Sequence, residues 1–183
     1  MKWLIASDIH GSAYFCRLLF KRFEEEGADK LLLLGDLLYH GPRNDLPQDY
    51  DTRETARLLN AHADIIAAVR GNCDAEVDQM VLDFPVLADY ALFDFDGTPV
   101  FATHGHLFDA HNPPKLAAGG VLLCGHTHVP EHKTAGEISY LNPGSVSIPK
   151  EASPHSYMTY ESGVFTWKDI EGKPYMSYPD GKA

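Results

Sequence analysis

The chain has 183 residues, of which 44% are hydrophobic and 22% are charged, a composition typical of a globular protein. Its length predicts one domain over residues 1–183. The formal net charge is -11, and such a surface repels the phosphate backbone of long nucleic acids. The three cysteines include no CxxC pair, which excludes a cysteine-based zinc site and fits a reducing compartment. No apolar run is long enough for a membrane helix, so we expect a cytoplasmic protein.

Three apolar runs in the first half of the chain predict strands that are buried on both faces. Each run ends in a glycine-containing turn, and amphipathic helical stretches over 13–26 and 52–62 separate them. Thr52 is the predicted N-cap of the second helix. Strands buried on both faces lose their polar alternation, so the pattern indicates a parallel sheet. The runs lie at residues 2–7, 30–34 and 64–69.

The second half of the chain reads as mostly antiparallel. Residues 90–95 and 99–103 alternate around Asp96-Gly97, a dipeptide that favours a two-residue hairpin turn. We expect an α/β fold in which a two-sheet β-sandwich is flanked by helices, in four layers α/β/β/α. The final PDGKA segment is predicted to fray. Further strands are predicted at 121–124, 138–141, 157–160 and 164–169.

Metal-ligating side chains follow five of the predicted strands. The carboxyl ends of strands in an open α/β sheet lie along the edge where ligands bind, so we expect these five loops to meet. The ligands are carboxylates, imidazoles and one amide, a set that suits manganese, iron, nickel or zinc. They are numerous enough for two ions about 3.5–4 Å apart. The candidates are Asp8, His10, Asp36, Asn72, His104, His126 and His128.

The motifs DIHG, GDLLYHG, GNCD, THGH and GHTH occur in an order that resembles the calcineurin-like metallophosphoesterase superfamily, whose pattern is DxH, GD, GNH(D/E), H and GHxH. The segments HGPRN, THGHLF and NPGSVSIPK are similar to the YfcE-type group of small bacterial phosphodiesterases, and the resemblance covers about residues 4–150. It implies a double β-sandwich and two divalent ions per chain, usually Mn²⁺, with iron, nickel or zinc in some members. It also implies a ligand assignment: Asp8, His10 and His128 for the first ion, Asn72, His104 and His126 for the second, and Asp36 bridging both.

One position departs from the superfamily pattern. Cys73 stands where the superfamily has a histidine that stabilises the transition state or protonates the leaving oxygen, although the YfcE-type group shares this cysteine. His106 lies two residues after His104, and alternate residues of an extended strand end share a face. We therefore predict that His106 compensates as a proton donor or phosphate contact. The alternative is that His106 only hydrogen-bonds a backbone carbonyl.

The resulting functional prediction is hydrolysis of a small phosphodiester by a metal-bridging hydroxide. Two ions lower the pKa of a shared water towards about 7, and Asp36 fixes their spacing. The neutral Asn72 keeps the ion pair positive enough to admit an anionic phosphate. We place Asp36, Asn72, Cys73 and His106 in catalysis. Substrate contacts are predicted for Asn72, Cys73, His106 and Arg43, although Arg43 also fits an ordinary turn.

Two alternatives stay open at the level of sequence. The same fold resembles the retromer scaffold subunit, so a non-catalytic metal-binding scaffold is one. A cyclic-nucleotide or oligonucleotide phosphodiesterase is the other, since the acidic surface argues against long nucleic acids only. A homodimer is expected by analogy with related small proteins, and neither a nucleic-acid polymer nor a membrane is expected as a partner.

Overall fold

The protein is described by a computed structural model that covers residues 1–179, so most of the PDGKA segment, residues 180–183, lies outside the described residues. Two mixed sheets carry the fold, with strand orders β11-β10-β9-β1-β2-β3 and β4-β5-β6-β8-β7. The helices are α1 (Ala13–Glu26), α2 (Thr52–Asn60) and α3 (Glu76–Gln79), with a 3₁₀ turn at Ala63–Ile65. The strands are β1 (Trp3–Ala6), β2 (Lys30–Leu33), β3 (Ile66–Ala68), β4 (Tyr90–Phe95), β5 (Thr98–Thr103), β6 (Val121–Leu123), β7 (Pro130–Ala135), β8 (Ile138–Pro143), β9 (Ser156–Glu161), β10 (Val164–Asp169) and β11 (Pro174–Tyr178).

The first sheet contains the predicted parallel strands. β1 pairs in parallel with β2 and β2 with β3, while β9 joins the other edge of β1 antiparallel. α1 begins after Ser12, whose hydroxyl accepts a hydrogen bond from the Phe15 backbone N–H. α2 begins after Asp51, whose carboxylate accepts from the Glu54 N–H, so the prediction of Thr52 as N-cap was wrong by one residue. Aspartate and threonine both cap helices, and sequence alone did not separate the two neighbours.

The second sheet confirms the predicted hairpin. Phe95 pairs with Thr98, and the two turn residues between them, Asp96 and Gly97, have φ angles of 52° and 87°. Two strands were missed, β7 and β11, and both lie at the outer edge of a sheet. Each begins with a proline, which cannot donate a ladder hydrogen bond, and neither has the buried apolar run of a central strand.

Three hydrophobic clusters fill the layers. Ile5, Leu32, Leu123 and Trp167 are fully buried in the cluster that both sheets share. Residues of α1 and α2 pack on the other face of the first sheet. The outer face of the second sheet is covered by residues of the loop 104–120, including Phe108 and Leu116, so helices in the described part of the chain flank the first sheet only. The predicted two-sheet sandwich is confirmed, and its fourth layer is this loop. None of the helices within residues 1–179 is long and apolar enough to cross a membrane.

Candidate metal centre

The five predicted loops meet beyond the carboxyl ends of β1, β2, β3, β5 and β6. Backbone hydrogen bonds tie them together: the Asp8 N–H donates to the Gly35 carbonyl, the His10 N–H to the Asp36 carbonyl, and the Gly125 N–H to the His104 carbonyl. The first two bonds continue the β1–β2 ladder past the end of the strands. The convergence that the motif order predicted therefore occurs in the folded chain.

Asp8, His10 and His128 form one half of the site. His128 Nε2 lies 3.2 Å from Asp8 Oδ1, and His10 Nε2 lies 3.5 Å from the same oxygen. The Nε2 atoms of the two histidines are 3.3 Å apart. Three ligand atoms within such distances fit one cation, and all three residues are buried.

Asn72, His104 and His126 form the other half, and Asp36 lies between the halves. His104 Nε2 is 3.1 Å from Asn72 Oδ1 and 3.2 Å from His126 Nδ1. Asp36 Oδ2 is 3.4 Å from His104 Nε2 and 3.6 Å from His10 Nε2. A single carboxylate oxygen therefore faces histidines of both halves, the position expected of a bridging ligand.

The backbone of these ligands adopts an unusual conformation. Five of the seven have left-handed φ angles between 50° and 69°, a region that non-glycine residues seldom enter. Such residues cost on the order of 1 kcal/mol or more each and concentrate at functional sites. Glycines beside these ligands share the turns, since Gly11, Gly35 and Gly105 also have positive φ angles, between 74° and 116°. The five ligands are Asp8, His10, Asp36, His126 and His128.

Backbone carbonyls orient three of the imidazoles. The Nδ1 atoms of His10, His104 and His128 lie 2.7 to 2.8 Å from the carbonyl oxygens of Tyr39, Leu34 and Ile148. A carbonyl accepts only, so each Nδ1 carries a proton and each Nε2 is directed to the centre. A hydrogen bond to one ring nitrogen is the usual way in which a protein fixes the tautomer of a metal-ligating histidine. His126 differs, because it presents Nδ1 to the centre.

The charges and hydrogen bonds of the site favour the binding of a cation. Burial opposes the ionisation of Asp8, but contacts with His10 and His128 outweigh it and hold the Asp8 pKa well below its usual value. Burial likewise opposes the protonation of His104, yet Asp36 and Asp8 raise its pKa to about 9. Asp8 Oδ1 is fully buried and accepts no hydrogen bond from the described residues. An orphaned carboxylate oxygen among imidazole nitrogens is a donor set that a divalent metal ion satisfies.

A surrounding layer of residues holds the ligand loops in place. Asp74 accepts three backbone N–H bonds, from Asp36, Leu37 and Gly71. A Cβ atom on Gly71 would lie 2.0 Å from Asp36 Oδ1, so only glycine allows this approach. The hydroxyls of Ser145 and Ser147 both donate to the Asp8 carbonyl, a role that no sequence signal indicated.

A cavity of about 310 Å³ opens over the ligands. Arg43, a predicted substrate contact, lines it together with Asn44 and with Lys150, for which no substrate contact was predicted. Lys150 follows the Asn142–Ser147 turn, and its N–H donates to the His128 carbonyl. In a chain of net charge -11, two cationic side chains at one cavity indicate an anionic ligand.

Cys73 and His106 lie on different sides of the centre. The Cys73 thiol lines the cavity, its N–H donates to Asp36 Oδ1, and burial together with the Asp36 charge raises its pKa to about 12. The His106 ring centroid is 5.5 Å from that of His104, but His106 is not among the lining residues of the cavity. Its Nδ1 is buried and has no hydrogen-bond partner among the described residues, so the predicted carbonyl contact is not made through that atom.

Comparison with known proteins agrees with this geometry. The family model described as the calcineurin-like phosphoesterase superfamily domain matches residues 1–163. The chain is 47% identical to phosphodiesterase YfcE of Escherichia coli strain K12 over 166 residues, which are 91% of this chain and 90% of that protein. The solved structure of the E. coli phosphoesterase Yfce has a TM-score of 0.94 and 43% identity, covering 97% of this chain and 98% of that one.

A more distant structure shares the fold alone. Vacuolar protein sorting 29 of Cryptosporidium parvum has a TM-score of 0.64 at 16% identity and covers 97% of each chain. Such a match shows that the sandwich is used widely and says nothing of activity. The family model, the close relative and the converging ligands agree with one another. This chain is a phosphoesterase that belongs to the calcineurin-like phosphoesterase superfamily.

Proposed function

We propose that the protein hydrolyses small phosphodiesters with two divalent metal ions and that Mn²⁺ is the preferred metal. The observation that carries this proposal is the position of Asp36, whose Oδ2 faces histidines of both ligand clusters at 3.4 and 3.6 Å. Asp8, His10 and His128 would hold one ion, and Asn72, His104 and His126 the other. When bound, the ions would supply an activated water at neutral pH and positive charge that offsets the negative charge of the phosphoryl oxygens.

The cavity over the ligands supports a small substrate. Its volume of about 310 Å³ is at the lower end of the range of small-molecule pockets. Arg43 and Lys150 line it and would contact the anionic phosphoryl group, while Asn72 belongs both to the ligand set and to the cavity wall. The name of the E. coli relative, a phosphodiesterase, also supports a diester as the substrate.

Two residues are proposed to act on the leaving group. Cys73 lines the cavity, and its raised pKa of about 12 means that it keeps its proton at neutral pH, so it would act as a weak hydrogen-bond donor rather than as a thiolate. His106 has a free Nδ1 beside His104. Burial and the neighbouring His104 lower its pKa, which favours the neutral imidazole.

Metal analysis tests the proposal independently of the substrate. Protein purified in manganese and dialysed should retain about two ions per chain by elemental analysis. Chelation should remove both the metal and the hydrolysis of bis(p-nitrophenyl) phosphate, and added Mn²⁺ should restore both. A stoichiometry of one ion or fewer, with full activity, would rule out the dinuclear proposal.

A further inference from the structure

A second cavity adjoins the metal centre and has the opposite chemistry. It is a groove of about 770 Å³, which we call the apolar groove, and it lies between α2 and the α3 segment. Aliphatic and aromatic side chains form most of its wall. They include Leu38, Tyr39, Tyr50, Ala56, Val77 and Val81. Cys73 lines both this groove and the cavity over the ligands, so the two spaces meet at its side chain.

The groove is built onto the ligand loops. The Tyr39 carbonyl holds His10 Nδ1 at 2.7 Å, so the backbone of a groove residue orients a ligand imidazole. Tyr50 forms a β-bridge with Ser12 and packs on Gly11, where an added Cβ would lie 2.7 Å from its ring. The His40 ring packs against both tyrosine rings in T-shaped geometry, with centroid distances of 4.8 and 5.1 Å. The aromatic wall is therefore fixed relative to the metal centre.

The other wall leaves apolar surface uncovered. Val77 and Val81 are 62% and 49% exposed, although both belong to the groove. Arg57, at the rim, is already held by two hydrogen bonds to the Glu54 carboxylate. Apolar surface beside a reactive centre is a common feature of ligand sites, in which a few polar groups fix the orientation and apolar walls provide contact area.

We propose that the apolar groove binds one ester group of the substrate, so that the preferred substrates are phosphodiesters that carry a large aromatic or otherwise apolar group. This inference rests on the proposed phosphodiesterase function and names its substrate class. The phosphoryl group would lie among the ligands, Arg43 and Lys150, and the ester group would pass Cys73 into the groove. The groove volume is within the range that accommodates a whole drug-sized ligand, well above the size of one aromatic ring.

Val77→Glu tests this proposal, because it places a charge in the groove at an exposed position without removing a core contact. Met80→Glu is the matched control: Met80 is 82% exposed on the same segment, is absent from the groove wall, and the substitution adds the same charge. Diphenyl phosphate, whose phenol is a poor leaving group, and diethyl phosphate serve as probes for calorimetry on the manganese-loaded protein. Val77→Glu should weaken the binding of diphenyl phosphate by about tenfold or more, and leave the affinity for diethyl phosphate and the metal content unchanged.

Kinetics give a second readout with the variant Val81→Glu. Bis(p-nitrophenyl) phosphate and p-nitrophenyl methyl phosphate share the p-nitrophenol leaving group and differ only in the ester group that stays on phosphorus. A loss of kcat/KM on the first substrate alone therefore places the retained ester group in the groove. An equal loss on both substrates places the leaving p-nitrophenyl group there. Either loss, absent in Met80→Glu, supports the proposal. Unchanged affinity and kcat/KM in both valine variants overturn it while metal-dependent hydrolysis persists, which leaves the proposed function intact. A change of oligomeric state with unaltered diphenyl phosphate affinity would also overturn it, because the groove would then be an interface between copies.

Discussion

Carboxylates at two places in the protein are partnered in opposite ways: the partly buried Glu26, and the buried pair Asp8 and Asp36. Glu26, the last residue of α1, accepts two hydrogen bonds from Lys168 at 2.6 and 2.7 Å and one from the Tyr157 hydroxyl at 2.9 Å. Lys2 lies 3.1 Å from its other oxygen. In the metal centre, Asp8 and Asp36 have only histidines as charged partners within residues 1–179, and Asp8 Oδ1 accepts no hydrogen bond.

The difference separates a structural carboxylate from a functional one. The Glu26 group is complete within the chain, because two ammonium groups and a hydroxyl satisfy the charge as well as the lone pairs. The metal centre has two carboxylates with only histidines as charged partners, an orphaned oxygen and ligands in strained left-handed backbone. Such a combination is unfavourable in the protein alone, and a bound cation offsets it. Unsatisfied buried groups, rather than buried charge as such, mark the place where a ligand belongs.

The largest effect is expected from Asp36→Asn. The amide keeps the size of the side chain and can still accept the Cys73 N–H bond, now 2.8 Å, but it cannot bridge two cations. We expect metal content to fall below two per chain and phosphodiester hydrolysis to fall by about 1,000-fold or more, since positioned charge supplies most of the catalysis. Wild-type metal content and rates in Asp36→Asn would contradict the bridging role.

A smaller loss of activity is expected from His106→Ala. This substitution tests whether an unpartnered polar atom beside the centre also identifies a functional residue. His106 Nδ1 is buried without a partner, as Asp8 Oδ1 is, yet His106 is not a ligand candidate. We expect kcat to fall by about 100-fold, the loss typical of one hydrogen-bond donor to the transition state, while metal content stays at the wild-type value. The exposed His111 provides the control substitution, His111→Ala. A kcat equal to that of the control would remove His106 from the mechanism.

The sequence predicted the centre because its ligand types follow buried strands directly. DIHG after β1, GD after β2 and GHTH after β6 can be recognised without coordinates, since a short apolar run followed by a ligand indicates the carboxyl edge of a sheet. The hairpin at Asp96-Gly97 was predicted for a similar reason: the dipeptide has one favoured turn. Local chemistry was sufficient in each case.

The features that were missed depend on contacts between distant parts of the chain. Ser145 and Ser147 hold the Asp8 carbonyl across more than 130 positions, and a serine in a turn carries no mark of that. The side-chain nitrogen that His126 presents to the centre depends on the position of its loop relative to His104. Lys150 became a cavity residue only because the turn before it folds against the ligand loops. Strands β7 and β11 lie at sheet edges, where the hydrophobic pattern is weakest.

The smallest effect is expected from Glu26→Gln. This substitution tests whether Glu26 is a purely structural carboxylate. Hydrolysis should be unchanged, whereas the free energy of unfolding at pH 7 should fall by about 2 kcal/mol, because Lys168 and Lys2 lose a partly buried charge partner. The neighbouring Glu25→Gln is the control: its side chain is 49% exposed against 11% for Glu26, and it should change stability by less than about 0.5 kcal/mol.

The pH dependence of the Glu26→Gln effect has a defined sign. Burial raises the Glu26 pKa, but Lys168, Tyr157 and Lys2 outweigh burial and lower it. A lowered folded-state pKa gives a contribution that is fully present above the unfolded value of about 4.3 and is lost as the pH falls through the folded-state value. Urea unfolding of wild type and variant in chelator, at neutral pH and near about pH 3, should therefore show the stability difference shrinking as the pH falls. A difference that stays constant with pH would mean that the substitution acts through lost packing and not through lost charge. Glu26 would then no longer be an example of a carboxylate whose charge the chain itself satisfies, in contrast to Asp8.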